Sequence, residues 1–317
     1  MKRKTLLVIL SLLLSSVLII GTTKLIVSPS KAKEPDHVQV VTSFYPVYIC
    51  ALNLTQNTSV DLKNLTEPTG GCLHDYQLRP QDLVALEGAD LFVINGGGME
   101  SFLDSVIANY PDLAITDCST GMELLPSEHE HGAGHEHLHE ENHTHEGEYN
   151  AHLWLSPTRY LQQIDTVYEA LCDLVPGETA QFTENRDTYR SKILSLQKEM
   201  HQSLATADHR DVVIFHDSFA YFAEEFGWHI VECIPLESDT ALSAGEIAAL
   251  VDAVKATGTE TLLCEEQYSP LLAQAIAAET DASLYILDPC VRGEYHPDAY
   301  LNAMRQNLSQ LQTAFAQ

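Results

Sequence analysis

Residues 178–205 run without an interrupting proline or glycine, and this stretch constrains the fold more than any other. Phe182, Tyr189, Ile193, Leu196 and Met200 recur along it at helical spacing, the pattern of a helix with one apolar stripe. A single helix of about 27 residues would span about 40 Å at 1.5 Å per residue. That is long for one globular lobe and suits a rigid strut between two.

Both flanks of the strut support this reading. On the N-terminal side, 38–44, 60–65, 91–94 and 113–116 read as strands. Helical stretches are expected at 49–54, after the break Tyr45-Pro46, and from Pro80 onward. On the C-terminal side, 212–215, 229–234, 261–264 and 283–287 read as strands. A helix at 219–226 stops at Gly227, one at 243–255 has Ser243 and Glu246 in capping-box spacing, and 299–315 closes the chain. Continuous apolar runs such as Leu91-Phe92-Val93-Ile94 belong to strands buried on both faces of a parallel sheet, and the alternation implies right-handed crossovers. The expected fold is α/β: two similar lobes, each a mainly parallel sheet flanked by helices, joined by one long rigid helix. The expected boundaries are a leader and linker at 1–36, an N-terminal lobe at 37–177, the connecting helix at 178–206 and a C-terminal lobe at 207–317.

Lys2, Arg3 and Lys4 precede the apolar run TLLVILSLLLSSVLII, a basic region followed by a hydrophobic one, as in a secretory signal. The run continues to Val27 with few breaks, long enough to span a bilayer. No cysteine follows it, so a typical lipoprotein anchor is not expected. The remainder should be extracytoplasmic, held to the membrane by an uncleaved or slowly cleaved N-terminal segment. A net charge of −28, from 45 acids against 17 bases, argues against nucleic acid and anionic membrane surfaces as ligands and favours cations or plain solubility. Seven cysteines, none in a CxxC pair, lack structural-zinc spacing and leave their pairing open.

One insert is conspicuous. Residues 128–148 hold His129, His131, His135, His137, His139, His143 and His145 among many glutamates, with almost nothing apolar. Such a segment cannot repay its ordering entropy by packing and should form a polar loop. Imidazole is the commonest transition-metal ligand, so the loop reads as an accessory metal collector. His139 to His143 also satisfies H-E-x-x-H, but no apolar stripe is present to dock the ordered helix that a zinc peptidase needs. The glycines after Ile94 fit a tight turn rather than a phosphate cradle, because Ser101 stands where G-x-G-x-x-G requires glycine.

The isolated histidines carry more information about position. His74 follows a glycine-ended loop, His152 precedes an X-Pro stop, and His216 and Asp288 each end an apolar strand. Ligands of open α/β sheets bind beyond the carboxyl ends of strands, so these four side chains could meet in the interlobe cleft. Three imidazoles and a carboxylate make a tetrahedral zinc set. Such ligands bind deprotonated, so metal release is expected as pH falls through roughly 6 to 5.

The motifs TSFYPVY (42–48), HDYQLRPQDL (74–83), INGGGMESFL (94–103), AHLWLSP (151–157), FHDSFAYFAEEFG (215–227), EEQYSP (265–270), LDP (287–289) and MRQNLSQL (304–311) occur in an order that resembles one family. It is the metal-type solute-binding proteins of ABC transporters, specifically the zinc-binding members of the cluster A-I group. The resemblance implies two lobes on one long helix and a monomeric, non-enzymatic carrier. It implies Zn²⁺ as the transported ligand and a membrane permease as the receiving partner. The family's ligand positions fall on His74, His152 and His216, with Asp288 as the fourth or a near neighbour. Manganese- and iron-binding relatives typically place a carboxylate where this chain has His216, and nitrogen ligands favour zinc. Ser156 stands where the family usually has aspartate in H-x-W-x-D-P. The competing readings are manganese or another divalent metal on the same fold, a peptidase built on the 139–143 match, and a surface protein that only buffers metal.

Overall fold

Two four-stranded parallel sheets share one strand order. The first runs β2-β1-β3-β4 and the second β6-β5-β7-β8, where β1 is Val38–Thr42, β2 Val60–Asn64, β3 Leu91–Ile94, β4 Ala114–Asp117, β5 Asp211–Ile214, β6 His229–Cys233, β7 Thr261–Glu265 and β8 Ser283–Leu287. The computed structural model describes residues 38–67, 73, 76, 78–103, 107, 110–127, 149–205, 211–234, 243–266 and 270–315. The N-terminal segment, His74 and the whole His-rich insert lie outside these residues.

Burial follows from place in the sheet. Inner strands β3 and β7 are almost wholly buried, whereas edge strand β2 alternates between half-buried and exposed positions, as expected for a strand covered on one face. The helices are α1 Tyr45–Leu54, α2 Pro80–Glu87, α3 Pro157–Leu174, α4 Thr179–Leu204, α5 Ala220–Phe226, α6 Ala244–Thr257, α7 Pro270–Ala278 and α8 Ala299–Ala314. α1 begins at Tyr45, earlier than the Tyr45-Pro46 break suggests. Proline is tolerated there because the first turn has no intrahelical partner for its missing N–H. α5 ends at Gly227 in the left-handed region (φ 70°), and α6 carries its Ser243–Glu246 capping box.

The 26-residue α4 buries Phe182, Tyr189, Ile193, Leu196, Met200 and Leu204. These side chains do not face solvent between the lobes. α4 packs against α1 and α3 on the N-terminal side and α8 on the C-terminal side, and one apolar core runs through Val40, Ile164, Leu196, Val212, Leu287 and Leu308 without a break at the lobe boundary. Tyr160 of α3 stacks on Tyr300 of α8 at 3.9 Å between ring centroids, and its hydroxyl meets that of Tyr189 at 3.1 Å. A junction this continuous is difficult to rotate, because side chains packed to crystal density rearrange only in discrete steps. Among the described residues no helix is long and apolar enough to cross a membrane. Cys50, Cys118, Cys172, Cys264 and Cys290 are free thiols, and burial raises the pKa of Cys50, Cys118, Cys264 and Cys290.

Candidate metal centre

His152 and His216 come from different lobes and meet. His152 precedes a short 3-10 turn, Leu153–Leu155, that leads into α3. His216 follows β5 in an extended conformation and precedes a second such turn, Asp217–Phe219, that leads into α5. The two rings lie edge to face with centroids 4.8 Å apart. Asp217 Oδ1 is 3.7 Å from His152 Nδ1 and 3.7 Å from His216 Nε2. Ligand atoms of the three side chains all fall within 4.8 Å of one another, the one such grouping of histidine, cysteine and acid among the described residues.

Each imidazole is held through Nδ1. The Asn150 carboxamide oxygen accepts the His152 backbone N–H at 2.9 Å and lies 3.1 Å from its Nδ1, while Nδ2 donates to the Asp217 carbonyl at 2.8 Å. The backbone donor identifies the oxygen end of the amide, so His152 Nδ1 must donate to it and Nε2 is the unprotonated ring nitrogen. His216 Nδ1 lies 2.9 Å from Glu265 Oε1, a carboxylate that also accepts from the Ser218 hydroxyl. Holding one ring nitrogen in this way prepares the other for a metal.

The two ligand-bearing segments are fastened together beside the site. Tyr221 of α5 donates to the Asn150 carbonyl at 2.7 Å and accepts from Leu125 N–H at 3.0 Å. Pro126 and Tyr149 form an antiparallel bridge, the latter three residues before His152. Arg159 lies over the Tyr221 ring at 4.3 Å and pairs with Glu224 at 2.7 Å. Behind His152, Asn95 donates to the Ala151 carbonyl at 2.8 Å from the glycine turn. Gly96 (φ 79°) is required in that turn, since a Cβ there would fall 1.8 Å from Asp117 Oδ1. Ser156 caps α3 by accepting Arg159 N–H and donates its own hydroxyl to Glu225 of α5, so a carboxylate reaches this helix start from the opposite lobe.

Asp288 follows β8, as its apolar run indicates. Asn307 of α8 clamps its backbone on both sides at 2.7 Å, and Trp154 donates to the next carbonyl, Pro289, at 2.7 Å. Its side chain is not part of the three-residue grouping. It accepts the Cys290 N–H at 2.8 Å, and the residue is one of those around a cavity of about 430 Å³ between α1 and α8, with Tyr45, Cys290, Arg292 and His296. Burial raises its pKa, opposed by that N–H and reinforced by nearby Glu266. A buried carboxyl disfavoured as an anion is one that a cation would stabilise. Asp217, Asn150 and Glu265 were not selected from the sequence. Glu265 had a legible signal, since it ends an apolar strand as Asp288 does, and Asn150 sits two residues before His152, a spacing at which short polar side chains bond locally.

The family described as zinc-uptake complex component A, periplasmic, matches residues 40–314. The chain belongs to this family. Its members are described as periplasmic components of zinc uptake. The chain is similar to the zinc-binding protein AdcA of Streptococcus pyogenes, with 30% identity over 294 residues, 86% of this chain and 55% of that protein. It therefore spans about half the length of the curated relatives it matches. A crystal structure of ZnuA superposes with a TM-score of 0.70 at 25% identity, covering 88% of this chain and 100% of that one. The zinc-bound ZnuA-like domain of Streptococcus pneumoniae AdcA has the same fold, with a TM-score of 0.73 at 24% identity over 89% of this chain and 100% of that domain.

Proposed function

We propose that this chain captures Zn²⁺ outside the cytoplasm and delivers it to the membrane permease of an ABC importer. The observation that carries the reading is the meeting of His152 and His216 across the lobe boundary, Nδ1 of each already engaged, in a chain of the zinc-uptake family. His152 and His216 are the central ligands. His74 and Asp288 complete the set, and Asp217 stands within reach as a carboxylate donor. Two or more imidazole nitrogens with carboxylate oxygen suit zinc's tetrahedral preference. The insert, with its seven histidines at 129, 131, 135, 137, 139, 143 and 145, is an accessory collector that precedes His152 in the chain. The carrier works as a monomer of two lobes, 37–177 and 207–317, on the helix at 178–206, held to the membrane by its N-terminal hydrophobic segment.

Competition titration of the purified protein with a zinc chelator tests this reading. One tight zinc site is expected in the intact chain and in a chain lacking residues 128–148, with only weaker additional sites lost. Disappearance of all zinc binding on that deletion would place the main site in the insert and overturn the cleft reading.

A further inference from the structure

We propose that Glu265 is the positioning residue of the metal centre, a buried carboxylate that fixes the tautomer and aim of His216 before metal arrives. The proposal rests on the zinc-capture reading above and concerns how the same site is organised. β7 pairs with β5 in parallel, Val213 opposite Leu262 and Ile214 opposite Leu263. β5 ends at Ile214, and the extended residue His216 two positions later meets Glu265 at the end of β7. The carboxylate is 2% exposed. Its Oε1 is engaged from two sides, by His216 Nδ1 at 2.9 Å and by the Ser218 hydroxyl. A carboxylate there selects the Nδ1–H tautomer, puts the lone pair on Nε2, 3.7 Å from Asp217 Oδ1, and makes the ring a stronger donor to a cation.

The two histidines are therefore held unequally, His152 by a neutral amide from its own segment and His216 by a charge from the neighbouring strand. Replacing Glu265 should cost metal affinity out of proportion to fold stability, because Ser218 and the sheet remain in place.

The test uses the full chain and the variants E265A, E265Q and S218A, with ¹⁵N-histidine NMR of the metal-free protein and zinc competition titration. His216 of the unaltered protein should show the Nδ1–H tautomer. E265A should populate the other tautomer and bind zinc ~10–100-fold more weakly, the usual loss for an outer partner of a ligating histidine. E265Q keeps an acceptor oxygen without its charge, so it should retain the tautomer and bind with intermediate affinity. A folded E265A protein with unchanged tautomer and affinity overturns the proposal. If E265A does not fold, E265Q and S218A both binding zinc as the unaltered protein does overturns it equally. A protein that binds no zinc in its unaltered form ends the functional reading, and its tautomer spectrum still decides whether Glu265 orients the ring.

Discussion

Each lobe buries a carboxylate near the end of a corresponding inner strand, and the two serve different ends. In the N-terminal lobe Glu100, six residues past β3, is 4% exposed and accepts the backbone N–H groups of Asn95 at 2.8 Å and Gly96 at 3.1 Å. In the C-terminal lobe Glu265 ends β7 and accepts from the His216 ring and the Ser218 hydroxyl. The donors make the difference. Backbone amides of its own turn, with the Ser43 hydroxyl beside them, hold the first carboxylate, which braces the glycine turn beneath His152. The second meets side chains from the neighbouring β5 segment, because that strand is followed by Phe215 and His216 where β1 is followed by Ser43 and Phe44. Similar sheets thus become a brace in one lobe and half of a binding site in the other.

The largest effect that would sharpen this contrast is on metal affinity. His216→Ala should weaken zinc binding beyond the ~10–100-fold typical of outer partners and leave the fold intact, with Glu265 losing its main donor at a cost of about 1–3 kcal/mol. Unchanged affinity in a chelator competition would remove His216 from the centre. The matching change in the other lobe, Glu100→Gln, should leave zinc affinity untouched and act on stability. Burial, opposed by the Ser43 hydroxyl and the two backbone amides, raises the Glu100 pKa from 4.5 to about 7. With the folded pKa above the unfolded one, the folded state binds more protons between them. Stability is therefore greatest below about pH 4.5 and declines as pH rises toward 7, by an amount on the order of 3 kcal/mol for this group alone. Glu100→Gln should lower Tm at pH 5, because an amide cannot accept both N–H groups, and should flatten the fall in Tm between pH 5 and 8. An identical slope in both proteins would show that Glu100 titrates normally. A third and smaller change, Asn150→Ala, frees the His152 ring and its tie to Asp217, and about tenfold weaker zinc binding is expected from the same titration.

Much of the frame was legible because strand and helix periods are local properties. The apolar runs at β3, β5 and β7 and the stripe along α4 specify two parallel lobes and their connector. The continuous core across the lobe boundary was not legible, since which face of α4 meets α8 depends on how distant elements pack. Of the expected ligands, His152 and His216 are brought together, Asp288 follows its strand outside that three-residue grouping, and His74 lies outside the described residues. Asp217 and Asn150 were missed because their role comes from meeting across lobes. Glu265 was missed although the rule that selected Asp288, a polar residue at the end of an apolar strand, applies to it equally.

The contrast between brace and site extends to a third acid, Glu225 of α5, and here the smallest effect is expected. Its carboxylate accepts from the Ser156 hydroxyl, from Thr158 N–H at 3.1 Å and its hydroxyl at 2.9 Å, and from Gln197 of α4 at 2.9 Å. It lies at the N-terminus of α3, where negative charge is favourable, and it arrives from the other lobe. Where the family usually has aspartate at position 156, this chain has a serine that donates to Glu225. Ser156→Asp should therefore place two carboxylates at one helix start and destabilise the protein by about 1 kcal/mol, the scale of one hydrogen bond replaced by a like-charge contact. Adding Glu225→Gln should recover most of that loss, because the new aspartate then caps the helix and accepts from the glutamine. Tm values of the two single variants and the double variant measure the coupling. Strictly additive values would mean that Ser156 and Glu225 do not act as one unit, and the trans-lobe clasp beside His152 would be only a contact.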